Sequence, residues 1–113
     1  MEFKEVIGKI LTIKNEYKKL NKKRGEKEWE INTYMEWFIW DVWDLSKLIM
    51  AKQWYRTIEN CDEKLSQELF DCLFSIVAIA DELHIDLEEE FSKNSADLEK
   101  RVKEIDGGYK ENI

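Results

Sequence analysis

The sequence predicts an all-α fold, and three observations carry that expectation. Proline is absent and glycine occurs only four times in 113 residues, which leaves little turn chemistry for an all-β chain. Leu, Ile, Glu and Lys dominate the composition, which suits helices. Apolar residues recur at spacings of three and four, the period of a helix with one buried face. The length argues for one domain over residues 1–113. No internal repeat or low-complexity linker divides it.

Four helices are expected, packed as a four-helix bundle that oligomerisation completes. The first runs from Phe3 to Leu20, with Phe3, Val6, Ile10, Ile13, Tyr17 and Leu20 on one face. A basic segment follows (Lys18, Lys19, Lys22, Lys23, Arg24 and Lys27), with Gly25 breaking the pattern. Cations at a helix C-terminus complement the macrodipole; the other reading is a patch that attracts phosphates. The second helix is expected from Thr33 to Gln53, because Thr33 and Glu36 have capping-box spacing. The third spans Asp62 to Leu83. The fourth starts at Asp86 as N-cap and runs to Ile105. Gly107 and Gly108 are expected to end it, leaving a frayed tail over 106–113.

Charge and cysteine usage narrow the function. The net charge is -7, which disfavours duplex nucleic acid as a partner. A phosphorylated substrate then needs metal ions or local Lys and Arg. Cys61 and Cys72 do not form a disulfide framework, and Cys72, inside an apolar run, reads as a small buried hydrophobe. No segment is apolar for long enough to span a bilayer. The expected location is cytoplasmic, with no membrane partner. His84 is the single histidine, so His-based zinc and iron sites lack a second imidazole.

The acids of the second helix stand out. From Trp37 to Ala51 the charged residues are Asp41, Asp44 and Lys47 alone, in a segment apolar on nearly all sides. Such a helix is buried on more than one face, and Asp is a poor helix-interior residue. Residues three apart are neighbours on a helix surface, so Asp41 and Asp44 share a face. The third helix repeats the spacing with Glu68 and Asp71, ahead of the uncharged stretch Cys72 to Ala80. Two acid pairs on buried helices repel each other and lose hydration, unless protonated, paired or exposed. A hard divalent cation such as Mg²⁺ (or Mn²⁺) resolves the conflict, because it takes carboxylate oxygens and keeps waters that a phosphate can replace. The bland alternative is an Asp44–Lys47 ion pair on one helix and an exposed acidic stripe on the other.

At these residues the chain resembles the MazG-like all-α nucleoside triphosphate pyrophosphohydrolases. Their pattern is E-x-x-E on one helix and E-x-x-D on the next. Here the pairs stand as Asp41-Val42-Trp43-Asp44 and Glu68-Leu69-Phe70-Asp71. The flanking WDVWDLSKLIMAKQWYR and DEKLSQELFDCLFSIVAIADELHIDLEEEF are similar to the two motifs of one subgroup, and the likeness covers residues 29–101. The resemblance implies Mg²⁺-dependent conversion of an NTP or dNTP to the monophosphate and pyrophosphate, in house-cleaning of the nucleotide pool. It implies homodimers or homotetramers with sites near subunit contacts. Carried over by position, Asp41, Asp44, Glu68 and Asp71 are catalytic metal ligands. Lys47, Lys52 and Arg56 are candidate phosphate contacts, chosen for sign and proximity. Trp37 and Trp40 are candidates to stack on a base, against the alternative of core packing.

Two departures from the family pattern bear on activity. Aspartates replace the first motif's glutamates, shortening each ligand by a methylene. Trp40 and Trp43 occupy places where small residues are usual. They favour the alternative of a non-catalytic helical interaction protein that keeps the fold. Physical grounds for oligomerisation stand apart from the family: five Trp and two helices apolar nearly all round exceed what a monomer of this size hides.

Overall fold

A computed structural model describes residues 1–54 and 57–111, and for 109–111 the helical backbone alone. It contains four helices, α1 Phe3–Lys23, α2 Ile31–Gln53, α3 Cys61–Glu82 and α4 Leu87–Glu111. No strand occurs among the described residues. None of the helices is long and apolar enough to cross a membrane.

Consecutive helices α2 and α3 form an antiparallel hairpin. At its closed end the Cys61 thiol donates to the Leu48 carbonyl at 3.7 Å, and Lys52 pairs with Asp62. At its open end Lys14 of α1 ties the two helices together. Its ammonium pairs with Asp81 at 2.6 Å and Glu82 at 2.8 Å, and lies 5.5 Å from the centre of the Tyr34 ring. The facing seam follows a strict alternation of three and four residues. On α2 it runs through Tyr34, Trp37, Asp41, Asp44, Leu48 and Ala51; on α3 through Cys61, Leu65, Glu68, Cys72, Ser75 and Ile79. That alternation keeps one stripe of each helix against its partner. Cys72, Ser75, Ala78 and Ala80 are all buried; their small side chains let neighbouring helices approach closely. Helix α1 adds Ile10, 2 % exposed, to this core.

Two helix ends are closed by the same device. After α1, Gly25 takes a left-handed φ of 67°, and the N–H groups of Gly25 and Glu26 donate to Lys22 and Asn21 carbonyls. After α3, His84 adopts φ 57°, with His84 and Ile85 donating to Asp81 and Ala80. Both are Schellman caps. Asp86 caps α4 as expected, its carboxylate accepting from the Glu89 N–H at 3.1 Å.

Two expectations are corrected. Helix α2 starts two residues before Thr33. Thr33 is the third helical residue, and its hydroxyl accepts from the Glu30 N–H at 3.3 Å, so it closes the cap from inside. Gly107 and Gly108 do not end α4, which continues to Glu111. Neither glycine takes the positive φ that a C-terminal cap requires; Gly25 alone does. Helix α4 does not close the bundle within one copy. Most of its side chains are exposed, Leu98, Val102 and Ile105 among them. Its aromatic contact with the body is Phe91 on Phe3, ring centres 5.2 Å apart.

Candidate metal centre

The acids meet inside the α2–α3 seam. Asp41, Asp44 and Glu68 each offer a carboxylate oxygen, and these oxygens lie within 4.8 Å of one another. The seam register explains the trio. Asp41 and Asp44 are successive seam positions of α2, and Glu68 faces them from α3. Asp71 falls one position short of the seam residue Cys72 and is exposed. It lines the adjoining cleft together with Asp41.

Electrostatics at the trio are unfavourable without a cation. Burial, then the charges of Asp71 and Asp44, push the Asp41 carboxyl above its ordinary value, against a hydrogen bond with Glu68 that favours ionisation. Burial, followed by Asp41, Asp44 and Asp71, raises Glu68 in the same direction. One oxygen of Glu68, Oε2, is buried without a hydrogen-bond partner. The thiol of Cys72 is also raised, by burial and by Asp41, Glu68 and Asp71. The trio is thus a set of hard oxygen donors with one lone pair unspent, the donor chemistry that Mg²⁺ and Mn²⁺ take.

A cleft of about 500 Å³ opens beside the acids, between α1, α2 and α3. Asp41 and Asp71 stand at its polar edge, and Tyr17, Trp29, Trp37, Trp40 and Phe74 make its aromatic walls. Trp29 is the hub of the aromatic group. Its ring centre lies 4.9 Å from Tyr17, 4.6 Å from Trp37 and 6.4 Å from Tyr34.

The remaining expected contacts fall in different places. Trp37 is half-buried in the aromatic cluster. Trp40 borders the cleft but is 66 % exposed, and with Trp43 it also lines an apolar groove on the outer face of α2. Neither indole therefore plugs the seam. Lys47 sits over the Trp43 ring at 5.6 Å on that outer side, in place of the Asp44 ion pair that its spacing allowed. Lys52 is engaged by Asp62 at the closed end of the hairpin. It stands eight residues, roughly 12 Å of helix, beyond Asp44. Arg56 lies outside the described residues.

Residues missed at the sequence level are Tyr17, Trp29, Phe70 and Phe74, which line the cleft, and Lys14 and Asn21 on α1. A signal existed for the last two. They continue the apolar line of Ile10 and Tyr17 at spacings of four, three and four, and so place polar groups on a buried face. Comparison of the chain with protein-family models, curated protein sequences and solved structures gives no match.

Proposed function

We propose that the protein is a Mg²⁺-dependent nucleotide pyrophosphohydrolase that converts an NTP or dNTP to its monophosphate and pyrophosphate. The observation carrying this reading is the convergence of carboxylate oxygens of Asp41, Asp44 and Glu68 to within 4.8 Å of one another, beside an aromatic cleft. Asp71, at the edge of that cleft, would in this reading hold a second ion or a metal-bound water. A bound Mg²⁺ would supply a Lewis acid for a phosphoryl oxygen and an activated water, the chemistry that phosphoanhydride hydrolysis needs. Asp41, Asp44 and Glu68 would hold the ion, and Trp37 and Trp40 border the space for the organic part of the nucleotide. Two unpaired cysteines fit a reducing compartment such as the cytoplasm. The active species in this reading is a homodimer or homotetramer, supported by the amount of apolar surface a single copy leaves exposed.

The test is pyrophosphate release from a panel of nucleoside triphosphates with Mg²⁺ or Mn²⁺. Release is expected from at least one nucleotide. Asp44→Asn and Glu68→Gln should each lower the rate by two orders of magnitude or more while leaving the helical content intact. Absence of release from every nucleotide, or release indifferent to both substitutions, overturns the reading.

A second reading has its own observation. Met35, Ile39, Trp40, Val42 and Trp43 are all exposed on the outer face of α2. A non-catalytic interaction protein would use this face for a partner. Failure of the hydrolysis assay together with Mg²⁺-independent complex formation would favour it.

A further inference from the structure

We propose that a second, polar cavity behind Trp29 is the pocket that receives the nucleobase, with the buried Asn21 amide donating to an acceptor on its ring. The inference rests on the pyrophosphohydrolase reading for its ligand class, and on separate residues for its site.

Asn21 is 4 % exposed, and its Nδ2 group has no hydrogen-bond partner. A buried donor left without a partner is destabilising, and an apolar side chain would be the ordinary occupant of this position on α1. The Asn21 side chain is part of the lining of a cavity of about 240 Å³ between α1, the start of α2 and the end of α3. Trp29 and the buried Tyr34 supply its aromatic surface. The volume lies below the range of about 300–1,000 Å³ typical for drug-sized ligands. It suits one planar ring system better than a whole nucleotide.

Charge selects which end of a nucleotide enters. The lining carries Lys14 and Lys18 against Glu28, Asp81 and Glu82. The cations are already engaged: Lys14 by Asp81 and Glu82, and Lys18 by Glu28 at 3.1 Å. The carboxylate left in surplus repels phosphate and admits an uncharged heterocycle. The phosphates are thereby directed to the opposite end, where a metal on Asp41, Asp44 and Glu68 compensates them. Trp29 belongs to the walls of both the polar cavity and the aromatic cleft that ends on Asp41. Tyr34 and Asp41 lie seven residues apart on the seam, roughly 10 Å along α2. A ribose and one phosphate bridge that length.

Binding of nucleosides, which carry neither phosphate nor a need for metal, isolates this pocket. Uridine, cytidine, adenosine and guanosine are titrated against the full-length protein in a chelator, read by tryptophan fluorescence and by chemical shifts. At least one should bind, and Asn21→Leu and Asn21→Asp should each weaken it tenfold or more. Asp41→Asn and Glu68→Gln should leave nucleoside binding unchanged. Without ligand, Asn21→Leu should melt at the wild-type temperature or above, because it removes an unpaired donor. For a nucleotide that is hydrolysed, Asn21→Leu should raise KM with little change in kcat, the mark of a contact made equally in ground and transition states. The pocket assignment is overturned if no nucleoside binds, if Asn21→Leu binds as wild type does, or if Asn21→Leu melts several degrees lower. The two proposals fail separately. Nucleoside binding without hydrolysis removes the enzyme and keeps the pocket; hydrolysis with no effect of Asn21 does the reverse.

Discussion

The Asp41 and Glu68 carboxyls hold protons more tightly in the folded chain than in the unfolded one, where they titrate near 3.8 and 4.5. A group raised on folding contributes stability that is fully present below its unfolded value and is lost as pH rises through its folded value. In chelator, the melting temperature should therefore fall as pH climbs from the ordinary carboxylate range through those raised values. Asp41→Asn and Glu68→Gln together should flatten the decline, and Mg²⁺ should offset it in the wild type. A chelated double variant with an unchanged pH slope would remove the trio as the cause. His84 offers an independent test at this scale. It holds a left-handed conformation at the cap of α3, which costs a side-chain-bearing residue about 1–2 kcal/mol. Glycine carries no such penalty, so His84→Gly should stabilise the protein by about 1 kcal/mol in urea unfolding. A lower midpoint would mean that the imidazole makes contacts outweighing the strain.

Each helix was legible in the sequence to within a few residues at most of its ends, because periodicity and capping chemistry are local. Asp86 shows this best, and Asp86→Ala should cost about 1 kcal/mol by leaving early α4 N–H groups without their acceptor. A thermal melt indistinguishable from wild type would show that the cap contributes nothing. Thr33 marks the limit of such reading: both roles in a capping box are played by residues three apart, and spacing alone does not say which one Thr33 takes. Gly107 and Gly108 mark another, since glycine permits a left-handed turn without requiring it. The acid spacing paired Asp41 with Asp44 and Glu68 with Asp71, and the fold brings carboxylate oxygens of Asp41, Asp44 and Glu68 within 4.8 Å of one another. The spacing did not separate Asp71 from them, because that needs the register of α3 against α2. Trp29 stayed hidden for the same reason: its surroundings come from three helices that only tertiary packing brings together.

The whole chain is too open for its mass. Its radius of gyration is 18.8 Å, against about 13 Å for a compact domain of this length. Its accessible surface is 9519 Å², where a folded monomer of 13.7 kDa is expected to expose about 6,600 Å². The surplus far exceeds the roughly 800 Å² that each partner gives to a standard interface. Light scattering at micromolar concentration should thus return a dimer or tetramer, and charges placed at Ile39 and Trp43 (Ile39→Glu, Trp43→Glu) should lower the mass. A wild-type monomer with a cooperative melt would defeat the proposed assembly. The outlying position of α4 has a consequence in time. The α2–α3 hairpin joins neighbours in sequence, so its loop closes at small entropic cost and its pairing should be fast. Helix α4 has little of its own body to condense upon, and in the proposed assembly its burial waits on a collision with another copy. Refolding should therefore show a rapid, concentration-independent phase followed by a slower one whose rate climbs with protein concentration, and the lag between them is the interval in which the chain is most vulnerable to a protease.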